Sequence, residues 1–179
     1  NSGHAVFLAE SCSLKNELRK QAIRKKFSRA AESYDSYAII QAEVAQKLVA
    51  KLSVEQDTSE VKTILELGCG TGNFTSLLAE KFPAAKIVAL DFSPEMIAKA
   101  THKLNKKNIE FICAEGEEFL AEAADTSFDL VASNGSLQWF SDHDSALKNI
   151  ARILRPGGTF SCSIFGPDSL KKLGLGLKI

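Results

Sequence analysis

The sequence predicts an α/β fold, a doubly wound and mostly parallel sheet with a helical arm in front of it. Three observations predict it. Beyond Val61 short apolar runs alternate with helical segments; the first run closes in a glycine-rich stretch, "LELGCGTGNF"; and the residues before Val61 carry only helical spacing. Strand and helix in alternation build a parallel sheet covered on both faces.

Residues 1–12 show no clear period and are expected to be a disordered arm or non-native residue. Apolar residues then recur at Leu14, Leu18, Ile23, Phe27 and Ala30, and again at Ile40, Val44, Leu48 and Leu52, which predicts two amphipathic helices. The polar "SVEQDTSE" that follows is a linker, so residues 13–60 form a helical arm or lid and 61–179 the core. "KTILEL" is the first strand, and Phe74, Leu77 and Leu78 mark the buried face of the next helix. "KIVALD" is the second strand; Ser93 caps the helix after it, with Pro94 at its first position and Glu95 in its first turn. "IEFICA" and "FDLVAS" are the third and fourth strands. Leu147, Ile150, Ala151 and Leu154 mark a helix that stops at "RPGG", and "TFSCSIF" is the fifth strand.

Composition narrows the function classes. Lys+Arg and Asp+Glu are 22 each, so no net field draws the chain to nucleic acid or to an anionic membrane. Cys12, Cys69, Cys113 and Cys162 lie far apart with no histidine at ligand spacing, which predicts reduced thiols, no metal and a cytoplasmic location. The apolar run "AVFLA" is too short for a signal-peptide core or a membrane span, so neither secretion nor insertion is expected.

In an open α/β sheet, ligands bind outside the carboxyl ends of the strands. Residues 66–73, 91–95, 114–119 and 133–141 leave those ends and converge on one rim, whereas Lys99, His102, Lys103, Lys106 and Lys107 fall on the opposite rim and read as a solvated face. A dinucleotide loop needs G-x-G-x-x-G, but Asn73 stands at its last position and Glu66 precedes the glycines Gly68, Gly70 and Gly72. A carboxylate there repels a pyrophosphate and favours a cationic cofactor.

"ELGCGTG" resembles the first motif of class I S-adenosylmethionine-dependent methyltransferases. Asp91 ends the second strand, where the family's acidic residue accepts the ribose hydroxyls; Glu115 follows the third, where an acidic residue meets the adenine amino group; and "LRPGG" precedes the fifth. The resemblance implies S-adenosyl-L-methionine as cofactor. Phe92 would flank adenine, and Gly116, Asn134 and Cys69 complete the cofactor-binding set, although Cys69 is read simply as a small loop residue. Each has a plainer alternative: Asp91 as a turn cap, Glu115 as one of three solvent-facing acids with Glu117 and Glu118, Phe92 as core.

Outside the cofactor motifs, "KFSRAAESYDSYAIIQ", "SNGSLQWFSDHDSAL" and "FGPDSLKKL" resemble the malonyl-acyl-carrier-protein O-methyltransferases of biotin synthesis. This likeness implies O-methylation of a free carboxylate, with Tyr34, Asp35 and Trp139 as catalytic residues and Asn134 and Gln138 lining the transfer pocket. Tyr34 would bind the acceptor or shield the methionine end, or merely anchor the arm; Trp139 could equally be core. A carboxylate is ionised at neutral pH and needs no general base. His143, the one histidine near the working rim, reads as a helix start. Lys15, Arg19, Lys20, Arg24, Lys25, Lys26 and Arg29 make a basic helix that could dock an acidic acyl carrier protein, or simply face solvent. The fold class adds a helix and a strand pair after the fifth strand, and "GLGLKI" does not supply them, so the C-terminal strands are expected to be missing. A methyltransferase for another small acid or ring substrate, and a cofactor-binding module without turnover, are the rival readings.

Overall fold

The computed structural model describes residues 2–55 and 58–166, and side chains over 14–52 and 58–166. The "GLGLKI" tail and most of "FGPDSLKKL" lie outside these residues. The arm comprises α1 (Ser2–Ala30), α2 (Tyr34–Tyr37) and α3 (Ile39–Glu55). Two differences from expectation appear here. α1 begins at Ser2, so the segment 1–12, expected to be a disordered arm or non-native residue, is helical over nearly its whole length; Ala5, Leu8, Ala9 and Glu10 favour the helix and the segment has no proline. "SYDSY" also forms a separate turn between the two long helices, and it is this turn that aims Tyr34 and Asp35 at the sheet.

The core alternates β1 (Thr63–Leu67), α4 (Asn73–Lys81), β2 (Lys86–Asp91), α5 (Pro94–Lys103), β3 (Ile109–Cys113), α6 (Gly116–Glu122), β4 (Phe128–Asn134), a 3-10 turn (Leu137–Trp139), α7 (His143–Ile153) and β5 (Leu154–Ser163). The five strands pair in the order β3-β2-β1-β4-β5, all parallel. β5 starts five residues earlier than the "TFSCSIF" expectation because "LRPGG" continues into the strand, with a register shift against Phe128 and Leu130.

Alternation along the strands sorts the core into two layers. Ile64, Ile87, Ala89, Leu130 and Ala132 face α3 and α4 through Ala45, Leu52, Phe74 and Leu78. Leu65, Leu67, Leu90 and Val131 face α6 and α7 through Leu120, Ala146, Ile150 and Ile153. Leu147, expected on the buried face of α7, is 51% exposed; Ala146 takes that place. The switch in strand order falls between β1 and β4, so the chains leaving these two strands diverge and open a crevice at their carboxyl ends.

Candidate active site

The crevice is a cavity roofed by the arm. Its floor is the glycine loop after β1, and Gly68 shows why glycine is needed there: φ is +75°, and an added Cβ would sit 2.3 Å from Ser136 Cβ in the loop after β4. The two loops are bound together where Ser136 Oγ (2.7 Å) and Ser133 Oγ (3.1 Å) donate to the Leu67 carbonyl. Gly68 N and Cys69 N both donate to the Leu90 carbonyl, which ties the loop to β2. Gly116 plays a similar part across the cavity, since a Cβ there would come within 2.7 Å of the Phe140 ring.

Glu66 and Asp91 supply the negative charge. Because Ile64 faces the α3 and α4 layer, period two puts Glu66 on that same face, fully buried beneath the loop. Neither of its oxygens has a hydrogen-bond partner among the described residues, and Thr75 Oγ1 is buried and unpartnered as well. Burial drives the Glu66 carboxyl up to about 8; the Thr75 hydroxyl draws it down and the Asp91 charge adds to the rise. Asp91 lines the cavity and accepts from Gly70 N and Ser93 N, each at 2.9 Å. Burial raises its pKa, and these two amides oppose that rise. The two bonds leave lone pairs on both Asp91 oxygens for a ligand.

The roof is aromatic. Phe27 of α1 packs 5.8 Å from Trp139, edge to face, and 6.2 Å from both Tyr34 and Phe92. All four rings line the cavity. Sequence reasoning placed Tyr34, Phe92 and Trp139 but left Phe27 as one member of a helix stripe; its place between "K" and "SRAAESYD" in the quoted segment was the available signal. Burial raises the Tyr34 phenol's pKa, and the Asp91 and Asp35 charges raise it further, so Tyr34 stays a neutral donor.

Several expected site residues have other partners. Asp35 does not line the cavity. It accepts from the Thr71 hydroxyl, from Asn73 Nδ2 at 2.9 Å and from Lys103 Nζ at 3.2 Å, and so latches the arm to the glycine loop and α5. Burial would raise its pKa, but Thr71, Lys103 and Asn73 outweigh that and lower it. Lys103 also bonds Asn73, and Lys99 pairs with Glu32 at 3.0 Å, so these two lysines hold the arm and do not form the solvated rim face expected of them.

Glu115 caps α6, accepting from Glu117 N and Glu118 N, and pairs with Lys20 at 3.1 Å; Lys20 also reaches Glu117 at 2.6 Å. Burial pulls the Lys20 pKa down, but hydrogen bonds to Glu117 and Glu115 more than reverse it. Lys20, Ile23 and Phe27 share one face of α1 and line the cavity, so Lys20 points inward, away from the exposed Arg19, Lys25, Lys26 and Arg29. Asn134 and Gly135 line the cavity too, while the Asn134 side chain bridges Gln41 O and Ser163 Oγ. Cys69 and Gly70, with Tyr34 and Asn134, line a smaller neighbouring cavity. Gly72 is the αL cap of α4. His143 begins α7, as read, with Nε2 2.9 Å from the Leu137 carbonyl oxygen. Among the described residues, no helix is long and apolar enough to cross a membrane.

The sequence and the fold match known proteins. The methyltransferase domain family matches residues 65–162, from β1 into β5. The malonyl-[acyl-carrier protein] O-methyltransferase of Priestia megaterium is 37% identical over 156 residues, 87% of this chain and 56% of that protein. That of Paenibacillus sp. is 40% identical over 161 residues, 86% of this chain and 58% of the relative. The chain thus spans somewhat more than half the length of these curated relatives. Among solved structures, a chain of the complex between the Haloferax volcanii Trm112 methyltransferase activator and a methyltransferase superposes with a TM-score of 0.67 at 26% identity, covering 77% of this chain and 59% of that one. A Methanococcus maripaludis protein shares the fold at a TM-score of 0.64 and 21% identity, over 82% of this chain and 68% of its own. Because the family model matches more than half its length, from β1 into β5, the chain belongs to the methyltransferase domain family.

Proposed function

We propose that this chain binds S-adenosyl-L-methionine and, within its whole protein, methylates the free carboxylate of a malonyl thioester carried by an acyl carrier protein, the step that the resemblance assigns to biotin synthesis. The observation that carries the cofactor half is Glu66, a fully buried carboxyl beneath the glycine loop that, among the described residues, has only the nearby Thr75 hydroxyl to offset its charge. Such a group is costly unless a cation completes it. The acceptor half rests on the relatives' names, at 37% and 40% identity over most of this chain.

When bound, the cofactor supplies a methyl group on a sulfonium. Asp91 is the acceptor for its ribose hydroxyls, with Gly70 N and Ser93 N holding the carboxylate in place. Phe92 and Phe140 are the adenine walls. Glu66 would give up its proton and hold negative charge under the loop once a cationic end is bound there. Tyr34 stays protonated and donates to the acceptor carboxylate, while Phe27 and Trp139 keep water off the line of transfer. Among the described residues no histidine or cysteine lines the main cavity, and an ionised carboxylate acceptor needs neither as base. The carrier protein docks on the outward cations of the basic helix 15–29, with Lys20 excluded because it is turned to Glu115 and Glu117.

The test is a methyl-transfer assay that offers malonyl-acyl-carrier protein, malonyl-coenzyme A, free malonate and trans-aconitate. Turnover on the thioesters, fastest on the carrier-bound one, is expected. Activity on a free acid alone overturns the acceptor assignment, and cofactor binding without turnover on any acceptor favours a binding module.

A further inference from the structure

The last residue of the motif "KFSRAAESYDSYAIIQ" has no role in the mechanism above, yet its side chain is unusual. Gln41, on α3, has a buried Oε1 with no hydrogen-bond partner among the described residues. Its backbone is pinned, because Asn134 Nδ2 donates to the Gln41 carbonyl at 2.9 Å and Ser163 Oγ holds the other end of the Asn134 amide at 2.7 Å. Gln41 is one of the residues lining the smaller cavity, between the arm and the glycine loop, with Tyr34, Gly68, Gly70, Thr71 and Asn134, and its Oε1 is shielded from water there. Ala38 and Ala42 keep the arm side of that cavity open, and its volume is about 40 Å³, room for more than one water-sized group.

The polar surroundings are one-sided. The Gln41 Oε1 acceptor lacks a donor, and so do both oxygens of Glu66, which sits on the same face of the sheet and acts electrostatically on Cys69 in the cavity wall. Tyr34 and Asn134 line both cavities, so the smaller one continues the larger past the glycine loop. A ligand that spans the two must present a hydrogen-bond donor, and preferably a cation, at this end.

We propose that Gln41 Oε1 accepts a hydrogen bond from the ammonium of the cofactor's amino-acid end, making α3 a direct ligand-binding element and not only a cover. This rests on the cofactor assignment above. Without ligand, the same oxygen is a buried acceptor without a donor and works against stability. Gln41→Leu, close in size, removes the acceptor and keeps the packing.

The experiment measures dissociation constants of S-adenosylhomocysteine and of 5′-methylthioadenosine, which lacks the amino-acid end, for the wild-type chain and Gln41→Leu, together with the thermal midpoint of each unliganded protein. Expected is about a tenfold or greater loss for S-adenosylhomocysteine, as for a hydrogen bond to a charged group, less than a twofold change for methylthioadenosine, and an unliganded midpoint equal to or above wild type. Equal weakening of both ligands, no weakening of either, or a marked fall in the midpoint would show a packing role and overturn the proposal. A wild-type chain that binds neither ligand overturns the cofactor assignment itself, an outcome distinct from the Gln41 failures.

Discussion

The two halves of the site are held by different forces. The sheet half, Glu66 to Gly72 with Asp91 and Ser93, is buried and fixed by backbone hydrogen bonds, with Gly68 N, Cys69 N and Gly70 N all committed. Within the arm, α3 is packed into the core through Ala45 and Leu52, whereas α1 and α2 are held by Phe27 and by ion pairs: Lys20 with Glu115 and Glu117, partly buried, and Lys99 with Glu32 and Lys103 with Asp35 at the surface. Glu32 is 92% exposed and Asp35 50%, so such pairs contribute about 0–1 kcal/mol each and weaken with salt. The difference teaches that charge and specificity are preformed on the sheet, while the roof is a weakly held element able to open for a ligand that would otherwise be enclosed.

That contrast predicts its largest effect on the sheet side. Asp91→Ala removes two charge-assisted bonds to a ligand diol, about 1.5–3 kcal/mol each, so the dissociation constant for S-adenosylhomocysteine rises about 100-fold or more by calorimetry. A change within threefold would mean that the arm, not the sheet, anchors the ligand. Glu66→Gln comes next, at roughly tenfold, and it carries a pH signature. The Glu66 carboxyl is pushed up to about 8 in the folded protein, against an ordinary value of 4.5 when solvated. The folded state therefore binds the extra proton, and the stability it contributes is full below about 4.5 and is lost as pH rises through about 8. A cationic ligand reverses this by favouring the carboxylate, so affinity climbs with pH across that window and binding releases a proton near neutrality. Calorimetry in buffers of different ionisation enthalpy reads that proton, and Glu66→Gln abolishes it; proton release unchanged in the variant would exclude Glu66 as its source.

The same contrast explains what the sequence made legible. The strands, the glycine loop, Asp91 and the Ser93 cap are local signals, each written in a period of two or in a turn that one residue type satisfies. Glu66 stood out because an acid interrupts an apolar run. The arm was opaque because its meaning is set by distant partners: Lys20 is one of seven cations spread over residues 15–29 until Glu115 and Glu117 take it, and Asp35 looks catalytic beside Tyr34 until Thr71, Asn73 and Lys103 turn it into a latch. Phe27 and Gln41 fit the helical pattern well enough to hide. Glu115 was legible as an important acid, but its part in capping α6 depends on where that helix starts.

On the arm side the effects are smaller and divide by function. Phe27→Ala removes three ring contacts of about 0.5–1.5 kcal/mol each, partly replaced by water and by neighbouring rings. It lowers kcat/KM about tenfold while raising the S-adenosylhomocysteine dissociation constant only about threefold. An equal loss in both would mean that Phe27 shapes the cofactor pocket and does not close over the acceptor.

The smallest effects come from the two faces of α1, and they are the sharpest division of the arm. Lys20→Met breaks the inward latch; it should weaken S-adenosylhomocysteine about two- to fivefold at low salt, with the difference shrinking at high salt, and leave the KM for a carrier-bound acceptor unchanged. Reversing the exposed Arg19, Lys26 and Arg29 to Glu should do the opposite, raising that KM several-fold in a salt-dependent way with no change in cofactor affinity. Steady-state kinetics on carrier-bound and coenzyme A-bound acceptors separate the cases, because a docking face matters only to the carrier-bound one. If Lys20→Met and the triple reversal alter the same parameter, α1 has one function and not two, and the carrier protein must approach from another side.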